Sequence, residues 1–377
     1  MPPISVCIIA KNEEENIGRC LESLVPYRFE VIVVDTGSSD RTKEIAAEYG
    51  AKLHDFEWIA DFAAARNFAA GKASNNWVLA LDCDEYITHI KTPELFSLIR
   101  QYPRYVGTLE IENEMLGPSD APPDAKKRTY TTELVRLYPR KYYHFEGAIH
   151  EQVQPILARH KKDMYSFPIP LKLYHTGYVG TAEQIAAKNK RNIDMLLKAV
   201  EENPDDAYNY FQIGQSYILG DEHEEACKWF NKGLSYDLDP SLEYVQTMVV
   251  SYGQSLLNIG RNEEALSFMG IYDAFCQQTD FVYLMGRIYE ANGQYMMALG
   301  EFLKAITMGP GKQNGINTFM PCYQIAVIYD NMAYQQEKAT GAPDAQNMEI
   351  ARMYYQKCGD FPPARRRLEE LGRGNDA

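Results

Sequence analysis

The apolar segment Trp77–Asp82 ends in the acidic run Asp82-Cys83-Asp84-Glu85, in which two aspartates flank one cysteine. If that segment is a β-strand, alternation places Asp82 and Asp84 on one side and Cys83 on the other. Carboxylates at this spacing can share a divalent cation, and Mg²⁺ or Mn²⁺ held in this way commonly also binds phosphate oxygens. The alternative is a solvated strand end.

Two other apolar runs also end in polar residues. Asp35 ends the run Phe29–Asp35, and its carboxylate can accept hydrogen bonds from a nucleobase or a ribose. The run Ile4–Ala10 is followed by Lys11-Asn12-Glu13, which supplies a cation, an amide and an acid. These groups widen the candidate site from a cation to a nucleotide.

A fourth group lies in the alanine-rich segment 62–72, whose small residues would let a helix approach a sheet closely. Arg66 and Asn67 lie side by side in its middle. The alternative for Arg66 is an ion pair with Asp61 or Asp35.

The first part of the sequence alternates strand and helix patterns, which predicts a parallel α/β sheet. In open sheets of this kind ligands bind beyond the carboxyl ends of the strands, where Lys11, Asp35 and Asp82 fall. The predicted strands are Ile4–Ala10, Phe29–Asp35 and Trp77–Asp82, and the predicted helices are 15–24, 41–49 and 62–72.

From about Tyr102 to His175 the pattern becomes β-rich, with strands expected over 105–113 and 130–138. This predicts an antiparallel extension of the sheet. The intervening loop Gly117–Asp124 is expected to be mobile and to lie on the substrate side.

After Tyr178 the pattern is helical and contains an internal repeat. A glycine is followed 12 residues later by an alanine at Gly214 and Ala226, Gly253 and Ala265, and Gly286 and Ala298. Successive glycines are 39 and 33 residues apart, close to the 34-residue helix-turn-helix unit of tetratricopeptide repeats. The alternative is an unrelated helical bundle.

The composition and the charge argue against several classes of protein. The 377 residues carry 52 acids and 38 bases, a net charge of −14, which argues against a nucleic-acid partner. Seven scattered cysteines without metal-ligand spacing predict reduced thiols and a cytoplasmic protein. The N-terminal apolar run is short and ends in charged residues, so we expect a strand and no membrane span.

The strings ISVCIIAKNEEENIGRCLESL, VIVVDTGSSDRTKEIA and DFAAARNFAAGKASNNWVLALDCDE resemble glycosyltransferase family 2, strongly over residues 4–90. The resemblance implies a GT-A domain (Rossmann-like, nucleotide-sugar-binding) over 1–180, followed by an all-α tetratricopeptide-like domain over 181–377. With its repeats, the chain is also similar to bacterial peptide S-glycosyltransferases of the sublancin type.

By this resemblance, each polar group acquires a role. Ala10, Lys11, Asn12, Glu13 and Asp35 would hold the nucleoside, and Arg66 with Asn67 would lie near the base and phosphates. Asp82 and Asp84, with Cys83 between them, would hold the metal and the diphosphate. The family commonly has alanine where this chain has Cys83, which is harmless if the thiol faces the interior.

The acceptor side is assigned by analogy within the same fold. The segment FEGAIHEQV offers Glu151 as the general base, with His150 as its rival. His175 would be a third metal ligand beside Asp82 and Asp84, and each residue has a purely structural alternative. The implied reaction is an inverting sugar transfer from a nucleotide diphosphate sugar, with a UDP-sugar favoured.

The acceptor expected from the resemblance is a peptide or protein side chain, Cys or Ser/Thr, bound by the helical domain, which could instead form a homodimer. A glycan or lipid-linked acceptor, a degenerate transferase serving only as a scaffold, and a nucleotidyltransferase are the alternatives. A nucleotidyltransferase would be expected to show a glycine-rich phosphate loop after the first strand, where this chain reads AKNEEEN.

Overall fold

The computed structural model describes residues 3–116, 127–157, 164–176 and 182–373. The chain forms two compact units, Met1–Met195 and Leu196–Ala377. The predicted domain boundary at 180 and 181 and the predicted loop Gly117–Asp124 lie outside the described residues, and both stay predictions.

The first unit contains the strands. In chain order, the described strands β1 to β10 are Ile4–Ala10, Glu30–Asp35, Lys52–Asp55, Trp77–Asp82, Glu85–Ile90, Val106–Leu116, Lys127–Pro139, Tyr143–Glu146, Gln152–Pro155 and Ser166–His175. The helices α1 to α4 are Ile17–Leu24, Thr42–Glu48, Phe62–Lys72 and Thr92–Gln101, and a short 3₁₀ turn covers Val25–Tyr27.

Eight strands form one mixed sheet in the order β3-β2-β1-β4-β7-β6-β10-β5, and β8 pairs with β9 separately. β1 is parallel to both β2 and β4, and β7 is antiparallel to β4 and β6. The predicted parallel sheet with an antiparallel extension is therefore confirmed. The register aligns Ala10 with Asp35 and Ile9 with Asp82, so the polar strand ends are level.

Both faces of the parallel strands are buried, as continuous apolar runs require. One face packs against α1 and α4, and the other packs against the alanines of α3. The small side chains of α3, including the fully buried Ala65 and Ala69, allow this close approach. Asp61 caps α3 by accepting a hydrogen bond from the Ala64 amide at 2.8 Å.

The second unit is helical. α5, Ala182–Glu202, begins in the first unit and ends in the second. The helices α6 to α15 are Ala207–Leu219, His223–Gly233, Glu243–Asn258, Asn262–Ala265, Tyr272–Phe275, Thr279–Ala291, Tyr295–Thr307, Phe319–Thr340, Ala345–Lys357 and Pro362–Arg373. A 3₁₀ segment covers Leu266–Ile271.

Two further findings concern the thiols and the helices. All seven cysteines are free thiols. Among the helices of the described residues, none combines the length and the apolar character that a membrane span requires.

Candidate active site

A network of alternating carboxylates and guanidiniums lies at the carboxyl end of β4. Asp82 Oδ1 accepts from Arg66 Nη2 at 2.7 Å, and Asp82 Oδ2 accepts from Arg136 Nη2 at 3.0 Å. Arg66 Nε also donates to Glu151 Oε1 at 2.5 Å, and Arg136 Nη2 also donates to Glu85 Oε1 at 2.8 Å. Arg66 therefore pairs with neither Asp61 nor Asp35, the partners considered for it from the sequence.

Burial and the neighbouring arginines set the pKa values of two carboxyl groups in this network, Asp82 and Glu85. Burial raises the pKa of the Asp82 carboxyl, but Arg66 and Arg136 outweigh burial and hold it well below its usual range. Burial raises the pKa of Glu85 to about 7, against the opposing charge of Arg136. Asp82 is thus ionised and already paired at both oxygens.

Asp84 lies next to His175. Its Oδ2 is 3.2 Å from His175 Nε2, and both side chains are mostly buried. His175 Nδ1 is 2.9 Å from Asn113 Oδ1, while Asn113 Nδ2 donates to Ile111 O and to Thr132 Oγ1. Those donations orient the Asn113 amide with its oxygen toward the ring, so Nδ1 carries the proton and Nε2 faces Asp84.

The three predicted metal ligands are brought together only in part. Asp84 and His175 are in contact, but both oxygens of Asp82 are occupied by arginines. Within the described ranges, no group of three or more His, Cys, Asp or Glu side chains has the geometry of a metal site. The metal role of Asp82, Asp84 and His175 stays a prediction.

Cys83 lies in the hydrophobic core, in the turn between β4 and β5. Its side chain is buried, and its thiol contacts the carbonyl oxygen of Ile9 at 3.4 Å. The cysteine therefore replaces a small apolar residue without placing a thiol among the polar groups.

Asp35 is almost completely buried at the end of β2. Its Oδ1 accepts from the amides of Gly37 at 3.0 Å and Ser38 at 2.9 Å, and Lys43 Nζ is 3.9 Å away. Its Oδ2 is buried without a hydrogen-bond partner. A buried carboxylate oxygen left without a donor costs free energy, and a ligand N–H or O–H would satisfy it.

The loops after β1 and β2 hold each other. The Ala10 carbonyl accepts from the Thr36 amide at 2.9 Å, and Asn12 Oδ1 accepts from the Ser39 amide at 2.8 Å. Asn12 has a left-handed backbone, with φ of 55°. The Glu13 amide donates to Thr42 Oγ1 at 2.7 Å, while Lys11 is exposed.

The segment after β8 carries the predicted base. Glu151 is mostly buried against Arg66, and burial lowers the pKa of the preceding His150. Asn67 binds the backbone of Phe145 through both ends of its side-chain amide, at 2.8 and 2.9 Å. The structure thus brings Arg66, Asp82 and Glu151 together, and places Asn67 against Phe145.

Sequence reasoning missed Arg136 and Asn113. Each carried a signal, because it shares one face of its strand with a buried residue: Arg136 lies two residues before the buried Tyr138, and Asn113 lies two residues after the buried Ile111. Polar groups at core positions require partners, and those partners are the carboxylates and the histidine of the site.

Comparisons with known proteins bear on both units. The profile of Glycosyl transferase family 2 matches residues 5–152, and that of a tetratricopeptide repeat matches residues 207–240. A TPR repeat-containing protein of Synechococcus elongatus is 28% identical over 323 residues, which cover 82% of this chain and 76% of that protein.

The glycosyltransferase SunS of Bacillus subtilis is 27% identical over 236 residues, which cover 62% of this chain and 54% of SunS. This chain thus spans about half the length of SunS. A solved structure of glucosyl-3-phosphoglycerate synthase from Mycobacterium tuberculosis aligns at 22% identity with a TM-score of 0.25, over 29% of this chain and 43% of that one. The two profile matches identify residues 5–152 as a family 2 glycosyltransferase domain and residues 207–240 of the helical unit as a tetratricopeptide repeat.

Proposed function

We propose that this chain transfers a sugar from a nucleotide diphosphate sugar, in a metal-dependent reaction that inverts the anomeric carbon, to a peptide or protein side chain. The observation that carries the donor assignment is the buried, unpartnered Oδ2 of Asp35. Asp35 and Asp82 lie on β2 and β4, one on each side of β1, so their backbones are two strand spacings apart, about 10 Å. A nucleoside on Asp35 would extend its diphosphate toward Asp84.

Asp84 and His175 have side chains suited to binding a divalent cation. A carboxylate oxygen and the Nε2 of a histidine oriented through Nδ1, once its proton is displaced, suit Mn²⁺ better than Mg²⁺, which prefers oxygen ligands. When bound there, Mn²⁺ would neutralise charge on the leaving diphosphate. Arg66 supports the same side, since its buried Nη1 has no partner and can donate to a phosphate oxygen.

Glu151 is proposed as the general base. It would take the proton of the acceptor hydroxyl or thiol as the acceptor atom bonds to the anomeric carbon. The bond from that carbon to the diphosphate oxygen breaks on the opposite face, so one displacement inverts the configuration. Arg66 holds the carboxylate through its Nε and so fixes its direction.

The peptide or protein acceptor is proposed from the helical unit. Tetratricopeptide repeats stack into extended surfaces that bind polypeptides. A second copy of the chain is the other partner that such a surface can take, and a cytoplasmic location agrees with the free thiols.

A thermal-shift panel with UDP-, GDP-, dTDP- and CDP-sugars, each with and without Mn²⁺, tests the donor site. At a concentration of 100 times its Kd, a ligand bound only by the folded chain adds about 2.7 kcal/mol to the free energy of unfolding. This raises Tm by about 5–10 °C. One nucleotide should give this shift, and only with Mn²⁺.

The variant Asp84→Asn should lose the Mn²⁺-dependent shift. Asp194→Asn is the matched control, because Asp194 is exposed on α5 and pairs only with Lys190 among the contacts described. A shift of wild-type size in Asp84→Asn would remove the metal assignment, and no shift with any nucleotide sugar would contradict the donor proposal.

A further inference from the structure

Both ends of the Asn67 side-chain amide bind the backbone of a single residue. Nδ2 donates to the Phe145 carbonyl oxygen at 2.8 Å, and Oδ1 accepts from the Phe145 amide at 2.9 Å. The side chain thus pairs with Phe145 as a neighbouring strand would. A nucleotide that used this amide would first have to displace both hydrogen bonds.

Helix α3 holds the same segment at three further points. The Phe62 amide donates to the Ala148 carbonyl at 2.8 Å. The guanidinium of Arg66 lies over the Phe145 ring at 5.3 Å, and its Nε donates to Glu151. The segment is therefore attached to α3 at both ends and in the middle.

The backbone of this segment needs such support. Gly147 has φ of 99° and His150 has φ of 54°, and an L-residue such as His150 rarely adopts that conformation. Glu151 follows His150 directly, so the backbone at His150 sets the direction of the Glu151 carboxylate. Releasing the segment would let this strained turn relax and the carboxylate move.

We propose that Asn67 is a positioning residue, which holds the segment Phe145–Glu151 and thereby places the Glu151 carboxylate, and that it does not bind the donor. The inference rests on the proposed function, in which Glu151 is the base. It replaces the donor contact that the family resemblance implied for Asn67.

Hydrogen exchange of the full-length protein tests the attachment without any substrate. In Asn67→Ala, amides of residues 145–153 should exchange about tenfold faster, because two hydrogen bonds are lost. The matched control is Asn76→Ala, in which the Lys141 amide loses its acceptor, Asn76 Oδ1, just before the start of β4. Unchanged exchange over 145–153 would overturn the proposal.

Kinetics then separates positioning from donor binding. With the nucleotide sugar selected by the thermal-shift panel, Asn67→Ala should keep the wild-type donor Kd while kcat for donor hydrolysis falls about 10²-fold. A weakened donor Kd with unchanged kcat would make Asn67 a donor ligand and overturn the proposal. Unchanged Kd and kcat would overturn it as well.

Two provisions keep the test decisive. If Asn67→Ala does not fold, Asn67→Asp keeps the acceptor for the Phe145 amide and replaces the donor, and the same changes are expected. If the wild-type chain binds no nucleotide sugar, the proposed function fails, while the exchange comparison still decides whether Asn67 holds the segment.

Discussion

Arg66 is the residue on which both halves of the site depend. One guanidinium contacts Asp82, on the proposed donor side, and Glu151, on the proposed acceptor side. Lysine could not replace it, because a single ammonium lacks two separated donors in one plane. The sequence singled out Arg66 but did not give its partner Glu151, which is 85 residues away and is brought near only by the fold.

Glu151→Gln tests the choice between the two candidate bases. Glutamine keeps an oxygen that can accept from Arg66 but cannot take a proton, so kcat should fall about 10²–10⁴-fold with donor Kd unchanged. Steady-state hydrolysis of the donor, with Kd from calorimetry, measures both. His150→Asn is the control, since asparagine tolerates the left-handed backbone at that position. Loss of activity in His150→Asn with activity kept in Glu151→Gln would make His150 the base.

Glu30, which lies away from the proposed metal site, should make the stability of the folded chain depend on pH. Burial raises its pKa, but hydrogen bonds from Lys52, Ser5 and Ser74 outweigh burial and lower it from 4.5 to about 2. A folded-state pKa below the unfolded value stabilises the chain above about pH 4.5, and this contribution is lost as pH falls toward 2. Because the Glu30 side chain is largely buried, its ionised form adds about 1–3 kcal/mol to the free energy of unfolding at pH 7.

Glu30→Gln should therefore be less stable than wild type at pH 7, and the two should converge as pH falls from 5 to 2. Urea unfolding at each pH measures the difference. Glu44→Gln is the control, because Glu44 makes only an exposed pair with Arg41 and its loss should barely change stability. A constant difference across the pH range would contradict the role assigned to the Glu30 charge.

At the scale of elements, the glycine and alanine repeat has a packing explanation. The alanines of all three pairs are fully buried, and two of the glycines, Gly214 and Gly286, face a phenylalanine sixteen residues later on the next helix. The middle unit differs: sixteen residues after Gly253 the chain forms the 3₁₀ segment, where Met269 is 51% exposed, and Gly253 instead contacts Leu284.

Gly286→Ala tests this packing. A Cβ at Gly286 would lie 2.5 Å from Cε1 of the buried Phe302, so α11 and α12 would have to separate, at about 1–3 kcal/mol of stability. Gly300→Ala on α12 is the matched control, because a Cβ there meets nothing within 4 Å and should stabilise the helix by about 0.5–1 kcal/mol. Urea unfolding followed by circular dichroism measures both, and equal effects would contradict the packing role.

The elements themselves were largely predictable. Strands Ile4–Ala10 and Trp77–Asp82 and helix Phe62–Lys72 have the predicted bounds, because continuous apolar runs define the strands and an aspartate cap begins the helix. The contacts of the site were not, since Arg136 comes from β7 and Asn113 from β6. Only the strand order places those two beside Asp82 and His175, and one sequence does not specify that order.

At the scale of the molecule, each unit has its own hydrophobic cores. The sheet cores use residues from Ile4 to Leu173, and the helical cores use residues from Tyr208 onward. The candidate site belongs to the first unit. Donor binding and polypeptide binding should therefore be separable by cutting the chain after Glu202, the last residue of α5.

Fragment 1–202 should bind the donor with the affinity of the full chain, because it keeps Asp35, Asp84, Glu151 and His175. Transfer of a radiolabelled sugar to polypeptides of a cell extract should fall about 10²-fold, because the acceptor would lose its second point of attachment. Calorimetry measures the first quantity, and radioactivity in precipitated protein measures the second.

Fragment 203–377 serves as the control, since it should bind no nucleotide sugar and, added separately, should not restore transfer by fragment 1–202. Covalent linkage supplies the high local acceptor concentration on which the expected loss depends. Circular dichroism and gel filtration establish that each fragment is folded and monomeric before the comparison. Transfer by fragment 1–202 at the rate of the full chain would exclude the helical unit from acceptor binding and leave the site of the first unit to select the acceptor alone.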